Sequence, residues 1–499
     1  MSVFKKYIKK EYIGIGLFTV FFAGMYIWRM FNIHPWYDEL YTYYTFISKG
    51  PVYAAIHWPL PNNHVGYSVI SGFFNVFGSP IIALRGASLI AAVANIILIY
   101  ILGLKFFDNI RYALAVVGFY GAVNIVNALS VQGRGYTLST TCMLLSIIAI
   151  LKIFDQDVPL VRWYVVFGIC LALGIYIIPS STFWVIPVCL TGGFYLLFNH
   201  KYKSLIKLIV SAFVAAAMDL FLYATIWLAV GSNLLSKSAD SAYFGLYQLD
   251  VIKKAPITAL QTGLDYMLAS PYIQSVDRHV VITGLIDYIE TLFAQFYSGC
   301  EEILLVLLII TMVIALIRFI KDRTELRALF LFVFILLQPI LLIIQSQQPY
   351  LRVFTFFGFV AAVAIVYICK GFRVSEQVMA ILAILLLVLT LTPGYRNNLG
   401  DEEDTLLKCF ELVEDEGINP RDIESICYTD DYQKYILKFY YNGEPVEAPL
   451  GEAYMVIAPN ELNGIWPSLF DENSFNREEL KQGYSQIGQV EKYKIYIRK

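Results

Sequence analysis

The sequence IGIGLFTVFFAGMYIWRMF, residues 13–31, decides the fold class, because it is long and apolar enough to cross a membrane as one helix. A basic stretch, MSVFKKYIKKEY, precedes it, and no small-residue cleavage site is evident, which indicates a retained first span. Of all residues, 58% are hydrophobic and 15% are charged, against about 25% charged in soluble domains. The composition excludes an ordinary soluble enzyme and predicts a polytopic α-helical membrane protein.

Apolar runs of similar length recur along the chain, and the charges between them give an orientation. We predict eleven spans, at about 13–31, 86–104, 112–130, 136–153, 163–179, 183–198, 206–230, 302–319, 328–345, 352–369 and 376–393. Every second connection is rich in Lys and Arg, which is typical of cytoplasmic loops. We therefore expect a cytoplasmic N-terminus, with the long connections 32–85 and 231–301 and the C-terminal tail outside.

The tail differs from the rest of the chain in charge. From Arg396 onward there are 21 acidic and 11 basic residues, although the whole chain has a net charge of only −2. We predict a transmembrane domain over 1–394 and a small α/β extracytoplasmic domain over 395–499, with a helix ending at Gly417 and strands in SICYT, AYMVIAP and YKIYI. The tail is expected to serve as a lid, an acceptor platform or a stability cap, and Cys409 and Cys427 could pair there.

Two apolar segments in the outer connections are too short to span the bilayer. HVGYSVISGFFNVFG, residues 64–78, and LDVIKKAPITALQTGLDYML, residues 249–268, are predicted to lie along the interface as amphipathic helices.

Charged residues at the predicted outer ends of the spans indicate the chemistry. HPWYDELYTYYTFISKG, residues 34–50, carries Asp38 and Glu39, and three arginines lie at other outer ends: Arg85, Arg134 and Arg352. Because the two acids are neighbours, their side chains diverge on a helix and do not by themselves form the carboxylate pair of a glycoside hydrolase. One carboxylate base is enough if the leaving group is a phosphate held by arginine. This pattern suits group transfer from a lipid phosphate.

The order of these motifs resembles the GT-C glycosyltransferases, in particular the family 39 branch of protein mannosyltransferases and aminoarabinose transferases. The matching pieces are Asp38-Glu39, then Pro61-Asn62-Asn63-His64 with Tyr67, ALRGASL at 83–89, QGRGYTLS at 132–139 and, more loosely, PYLRVFTFF at 349–357.

The resemblance implies an inverting transfer of a sugar from a polyprenyl-phosphate donor to a hydroxyl acceptor on the extracytoplasmic face. Asp38 would act as the base and Glu39 as its acidic neighbour. Contacts with the donor phosphate or other substrate groups would come from Asn63, His64, Tyr67, Arg85, Arg134, Tyr136 and Arg352. Expected partners are the lipid donor, an acceptor glycan, lipid or protein, and membrane lipids of a bacterial plasma membrane, but not nucleic acid.

No cofactor is expected. Metal-dependent relatives carry a second acidic motif in the next outer loop, whereas that loop here is ALSVQGRGYT and holds no acid. A divalent metal is therefore disfavoured, since such a cation needs several oxygen ligands.

Other interpretations stay open. Asp38 could cap a helix after Pro35, Glu39 could pair with a nearby arginine, and His64 could cap the interfacial helix. The alternative function is a transporter or lipid flippase, which predicts ionisable residues near the middle of the membrane. A third possibility is a non-catalytic member of the same fold that assists envelope-polymer assembly. Asp219, inside the seventh predicted span, fits none of the assigned roles.

Overall fold

The computed structural model of the chain consists of two compact units. It describes residues 2–57, 63–155, 160–231, 253, 278–346, 348–392, 401–459, 480 and 482–499. The first unit comprises Met1–Phe31 and Lys49–Asn398, and the second comprises Asn32–Ser48 and Leu399–Lys499. The segment with Asp38 and Glu39 therefore belongs with the C-terminal residues. The predicted boundary at Pro393–Arg396 lies outside the described residues.

The part of the chain before residue 393 is helical wherever it has regular structure among the described residues. The α-helices are α1 Ser2–Asn32, α2 Tyr37–Thr45, α3 Pro51–Ile56, α4 Val65–Gly72, α5 Pro80–Phe107, α6 Ile110–Gly121, α7 Asn124–Leu129, α8 Tyr136–Phe154, α9 Val161–Ile177, α10 Thr182–Phe198, α11 Tyr202–Gly231, α12 Arg278–Thr283, α13 Leu285–Ala294, α14 Glu301–Lys321, α15 Leu326–Gln345, α16 Phe357–Gly371 and α17 Glu376–Leu389. Short 3₁₀ helices occur at Ile47–Lys49, Phe73–Phe77, Pro179–Ser181 and Leu351–Phe356.

The polytopic architecture is confirmed. Among the described residues, eight helical segments are long and apolar enough to cross a membrane: Ile13–Asn32, Pro80–Phe107, Tyr136–Phe154, Pro179–Phe198, Tyr202–Tyr223, Glu301–Lys321, Leu326–Gln345 and Leu351–Gly371. The three remaining predicted spans correspond to the shorter apolar helices α6, α9 and α17. Every predicted span thus contains a helix, and the chain is an integral membrane protein.

The third predicted span, 112–130, is not one helix. It breaks between Gly121 and Asn124, and the first N–H groups of α7 donate to carbonyls far away in the sequence: Asn124 N to Phe296 O and Ile125 N to Gln295 O, both at 2.9 Å. The Asn127 amide also donates to Gly121 O at 2.7 Å. These contacts satisfy backbone groups that an interrupted helix leaves without internal partners. The break therefore leaves fewer unpaired polar groups inside an apolar unit, where they would be costly.

Of the two predicted interfacial helices, the first can be compared with the structure. Residues 64–78 form α4 and the 3₁₀ helix Phe73–Phe77, which together are too short to span a membrane. Phe73, Val76 and Phe77 are exposed, as expected of a helix that inserts apolar side chains into the interface. The second segment, 249–268, lies outside the described residues except for Lys253.

The core of the first unit places an irregular loop deep inside the protein. Helix α8 packs along α5 and α9, and α9 packs along α11. The connection between α7 and α8, residues 130–135 with sequence SVQGRG, is buried at every position. Loops normally run over the surface because their backbone groups need partners. We call this segment the buried loop, because it organises the candidate site described below.

The second unit is a small α/β fold, as predicted. Its elements after α2 are α18 Asp401–Asp415, β1 Ser425–Cys427, α19 Asp431–Ile436, a π-helical turn Leu437–Tyr441, β2 Val446–Glu447, β3 Met455–Pro459, β4 Tyr484–Val490 and β5 Tyr493–Arg498. The strands form one mixed sheet in the order β2-β1-β3-β5-β4. Strands β1, β2 and β3 are parallel, whereas β5 is antiparallel to β3 and β4.

The three predicted strands and the helix before Gly417 are confirmed. Gly417 adopts φ +82°, a left-handed conformation that suits a glycine just after a helix. Strands β2 and β4 were not predicted, since β2 has two residues and β4 is an edge strand with mainly polar, solvent-facing positions. Cys409 and Cys427 are both free thiols.

Candidate functional site

The two neighbouring acids occupy the first turn of α2 in the second unit. The Glu39 carboxylate is fully buried, and its Oε2 accepts a hydrogen bond from the backbone N–H of Trp36 at 3.0 Å. This is the reach-back contact of a capping box, and a negative charge there also complements the helix dipole. Asp38 is half-buried, and its carbonyl accepts from Thr42 Oγ1 at 2.6 Å. The local structure therefore gives Glu39 a capping role that Asp38 does not share.

In the first unit, His64 brings two motifs together that are 70 positions apart. Its Nδ1 accepts a hydrogen bond from the N–H of Gly135 at 3.0 Å, and its Nε2 lies 3.2 Å from Nη2 of Arg134. The ring of Tyr136 stands edge-on to the imidazole, with centroids 5.2 Å apart. His64 precedes α4 but makes no side-chain cap, so its imidazole serves the buried loop instead.

The protonation of His64 follows from its neighbours. Burial, the charge of Arg134 and the charge of Arg352 hold the pKa of the His64 imidazole well below its usual value, so the ring is neutral at pH 7. A neutral imidazole has one lone pair and one N–H. Because the Gly135 N–H uses the lone pair on Nδ1, the proton belongs on Nε2, opposite the guanidinium N–H groups of Arg134. Two donors face each other, and an acceptor such as a phosphate oxygen satisfies both.

Arg352 adds a second positive charge on this side of the unit. It lies in the 3₁₀ helix Leu351–Phe356, and its guanidinium stacks 4.7 Å from the ring centroid of Tyr350. Its electrostatic effect on His64 links the late motif PYLRVFTFF to the NNH and QGRGYT motifs. The structure therefore brings His64, Arg134, Tyr136 and Arg352 together.

Two other predicted site residues, Asn63 and Tyr67, bind parts of the protein itself. Asn63 donates to His57 O at 2.9 Å and accepts from Ser68 Oγ at 2.7 Å, which joins the residues before and after it. Tyr67 donates its hydroxyl to Leu84 O at 2.6 Å and thereby ties α4 to α5. Asn63 and Tyr67 thus act locally as scaffold.

Arg85 is fully buried and also contacts the backbone. Its Nη1 donates to Met30 O at 3.1 Å, at the C-terminal end of the first span. A cation near the last carbonyls of a helix is favourable because the helix dipole is negative there. Arg85 thus supports the end of α1.

The buried loop contains a polar side chain that the sequence analysis did not select. Gln132 is 1% exposed, and neither its Nε2 nor its Oε1 has a hydrogen-bond partner in the structure. Its backbone carbonyl is used, accepting from Arg134 N at 2.7 Å and Ser88 Oγ at 2.6 Å. Leaving both ends of a buried amide unpaired is costly, so the side chain is suited to a ligand that donates and accepts.

Glycine is required where the loop approaches His64. A Cβ at Gly135 would lie 2.7 Å from Ile177 Cγ2 and 3.2 Å from Ile177 O. Only a residue without a side chain therefore lets the Gly135 N–H reach the imidazole. The motif QGRGY contains this glycine, but the sequence alone does not show which residue packs against it.

No cluster of three or more His, Cys, Asp or Glu side chains able to hold a metal ion occurs within the described ranges. The positive charge in the described part of this site comes from arginine.

A comparison with protein-family models agrees with the resemblance seen in the motifs. Residues 64–227 match the family model of the dolichyl-phosphate-mannose-protein mannosyltransferases, which confirms the predicted resemblance over the stretch that holds His64, Arg85 and Arg134. No curated protein sequence matches the chain significantly.

Among solved structures, the chain is similar to ArnT from Cupriavidus metallidurans in two states. The apo structure gives 10% identity and a TM-score of 0.41, with 97% of each chain covered. The structure bound to undecaprenyl phosphate gives 11% identity and a TM-score of 0.36, with the same coverage.

Proposed function

We propose that this integral membrane protein is a glycosyltransferase that moves a sugar from a polyprenyl-phosphate donor to a hydroxyl acceptor on the extracytoplasmic face. The observation that carries the proposal is the contact of His64 with Arg134 in the buried loop. It presents opposed donors and a permanent positive charge where an anion is the fitting ligand. The family model over residues 64–227 supports a lipid-linked sugar phosphate as the donor.

The proposed reaction is a single displacement with inversion at the anomeric carbon. The Asp38 carboxylate takes the proton of the acceptor hydroxyl, and the oxygen of that hydroxyl forms a bond to the anomeric carbon. The bond between that carbon and the phosphate oxygen breaks, and the polyprenyl phosphate departs with one additional negative charge. Its departure requires no general acid, because arginine stabilises the charge that develops.

The donor side of the site is divided between contact and support. His64, Arg134 and Arg352 are proposed to bind the phosphate, and Tyr136 to hold the imidazole in place. Asn63, Tyr67 and Arg85 are proposed to support these groups through their bonds to the scaffold. Gln132 is added as a group for sugar hydroxyls, since an amide both donates and accepts.

The orientation rests on the alternation of basic loops, which supports a cytoplasmic N-terminus and an extracytoplasmic tail. The acceptor class proposed is a hydroxyl of a glycan, a lipid or a protein of the bacterial cell envelope.

The direct test replaces the proposed base. Membranes with the Asp38→Asn protein should form no glycosylated product, as judged by mass spectrometry of glycolipids and glycans from a strain that lacks the native gene. The purified variant should still bind undecaprenyl phosphate, measured by thermal shift.

The chain offers a closely matched control. Asp287 also lies in the first turn of a short helix, and its carbonyl accepts from Thr291 Oγ1 at 2.7 Å, as that of Asp38 does from Thr42. Asp287→Asn should keep full turnover. If Asp38→Asn turns over as fast as this control, the assignment of the base is wrong.

Transport of a lipid is the second candidate function, and one residue favours it. Asp219 lies in α11, is 6% exposed, and neither carboxylate oxygen has a hydrogen-bond partner in the structure. Buried ionisable groups in membrane spans often mark transport pathways. Lipid movement in proteoliposomes that depends on Asp219 and proceeds without a glycosylated product would favour transport.

A further inference from the structure

The C-terminal part of the second unit packs against the segment that carries Asp38. The hydroxyl of Tyr432, in α19, donates to Pro35 O at 2.6 Å, just before α2 begins. One turn later, Tyr435 contacts three aromatic rings of α2. Its ring centroid lies 5.8 Å from Tyr37, 6.3 Å from Tyr41 and 5.7 Å from Tyr44.

Polar contacts at the edges complete this aromatic clasp, by which we mean the contacts of Tyr432, Tyr435, Lys438 and Tyr440 with residues 34–44. Lys438 lies 5.3 Å from the centroid of the Tyr44 ring and forms an ion pair with Glu444. The Tyr440 hydroxyl lies 2.7 Å from Nδ1 of His34. The clasp therefore covers the approach to α2 as well as its length.

The clasp engages one side of α2 and leaves Asp38 beside it. Successive residues of an α-helix are rotated by about 100°, so Tyr37, Tyr41 and Tyr44 share a narrow stripe. Asp38 lies about 100° around the helix from Tyr37. Rotation of α2 about its axis would break the stacking of Tyr44 on Tyr435, whose ring planes differ by only 5°. The packing of this stripe therefore fixes the direction in which the Asp38 side chain projects from the helix.

Helix α2 depends on such contacts, because it has nine residues. Isolated helices this short are not stable in water, since nucleation costs more than so few hydrogen bonds return. Packing must therefore hold the helix, and aromatic pairs supply more than the burial of their area alone. In the second unit, the clasp supplies this packing from the C-terminal residues.

We propose that Tyr432 and Tyr435 are positioning residues, through which the C-terminal residues fix the start and the rotation of the helix that carries Asp38. The inference rests on the proposed function, in which Asp38 is the base. It gives the acidic tail a specific part in the reaction, one that its own sequence motifs do not indicate.

The test uses the full-length protein in membranes. Tyr432→Phe removes one hydroxyl and should lower kcat about tenfold, the loss expected for one buried hydrogen bond, with KM for the lipid donor unchanged. Tyr435→Leu should lower kcat further and increase hydrogen exchange of the amides of residues 39–46. Tyr435→Phe keeps the ring and should restore most of kcat.

A tyrosine elsewhere in the same unit provides the control. The Tyr484 hydroxyl accepts from Gly451 N at 3.0 Å and donates to Ala453 O at 2.9 Å, so Tyr484→Phe removes comparable bonds away from α2. It should leave kcat and the exchange of residues 39–46 unchanged.

Two outcomes separate this inference from the proposed function. If Tyr432→Phe and Tyr435→Leu keep the wild-type kcat while Asp38→Asn has none, the positioning role is wrong and the base assignment stands. If Asp38→Asn keeps its turnover, the base assignment fails, and with it the catalytic part of this inference. Unchanged exchange of α2 in Tyr435→Leu overturns the clasp itself.

Discussion

The buried loop of the first unit and helix α2 of the second unit contain the two most informative motifs, but they satisfy their polar groups in opposite ways. In the buried loop, the Gln132 amide has no partner, and the N–H groups of His64 and Arg134 oppose each other. In α2, the Glu39 carboxylate caps the helix, and aromatic contacts hold its length. The unpaired amide of the buried Gln132 indicates a ligand, whereas satisfied groups on a small helix indicate support.

This difference predicts different consequences of mutation. Changes to the polar side chains of the buried loop, Gln132 and Arg134, should act on ligand binding and leave the fold intact or even more stable. Changes in α2, apart from Asp38, should act through the position and stability of the helix.

The largest effect is expected for Arg134. Arg134→Ala should lower kcat/KM by about two to three orders of magnitude, the usual loss when one donor to a developing charge is removed. It should also weaken the binding of undecaprenyl phosphate. The kcat/KM of Arg134→Lys should lie between those of the wild type and of Arg134→Ala, because lysine keeps the charge but not the planar pair of donors.

The control for this measurement is Arg162→Ala, which removes an exposed arginine whose guanidinium lies 5.1 Å from the Trp163 ring. Its kinetics and lipid binding should equal those of the wild type. If Arg134→Ala and Arg162→Ala bind the lipid equally well, the phosphate does not bind at the buried loop.

Gln132 should show the contrast between binding and stability within one residue. Gln132→Leu removes two buried polar atoms that lack partners, so the free protein should be as stable as the wild type or more stable. Its kcat/KM should nevertheless fall by about tenfold to a hundredfold if the amide binds the sugar of the donor. Binding of undecaprenyl phosphate, which has no sugar, should not change.

Gln338 is a contrasting case, because only its Oε1 lacks a hydrogen-bond partner in the structure. Its Nε2 donates to Phe183 O at 3.1 Å and to Phe334 O at 3.2 Å. Gln338→Leu should therefore lower the thermal midpoint and leave kcat/KM unchanged. If Gln132→Leu lowers the stability but not the activity, Gln132 supports the fold and does not bind the sugar.

The sequence predicted those features that depend on local composition or on the order of motifs. Apolar length located the eight described helices that are long enough to cross a membrane, and the order of NNH, QGRGY and the late arginine anticipated the meeting of His64, Arg134 and Arg352. The break after Gly121 was not predictable, because its compensating carbonyls lie at Gln295 and Phe296.

The residues that were missed share a similar reason. Gln132 has the residue type of a solvated loop, and only the three-dimensional packing of α5, α8 and α9 makes that loop interior. Tyr432 and Tyr435 occur in the acidic tail, where the sequence predicts a small α/β fold and aromatic residues indicate an ordinary core. Their contacts with Tyr37 of α2 join positions 395 and 398 apart, and a single sequence contains no local signal for such pairs.

Substitutions of Glu39 should show whether this residue supports α2 or takes part in the reaction. Glu39→Gln keeps an oxygen that can accept from Trp36 N but loses the charge at the helix start, a loss of about 0.3–1 kcal/mol. We expect kcat to fall by no more than about fivefold, which corresponds to that free energy. Glu39→Ala, which also loses the hydrogen bond, should fall further. A loss in Glu39→Gln as complete as that in Asp38→Asn would instead make both acids catalytic.

A further expected effect is a pH dependence of stability from His64. Its pKa in the folded protein lies well below the value near 6.5 that it has when unfolded. Below pH 6.5 the unfolded chain therefore binds a proton that the folded protein does not, and stability falls as the pH decreases. Above pH 6.5 both states are neutral, and this contribution disappears. Between pH 6.5 and 5.5 the loss should be about 1 kcal/mol.

His64→Gln tests this contribution, because the Gln amide oxygen can still accept from the Gly135 N–H but does not titrate. Thermal midpoints measured from pH 7.5 to pH 5.5 should decline less steeply in the variant than in the wild type, and the two curves should be parallel above pH 7. Bound undecaprenyl phosphate should lessen the decline in the wild type, since a phosphate beside Nε2 favours the protonated ring. Identical slopes for variant and wild type would show that folding does not lower the pKa of His64, and that burial and the two arginines do not disfavour its protonated form.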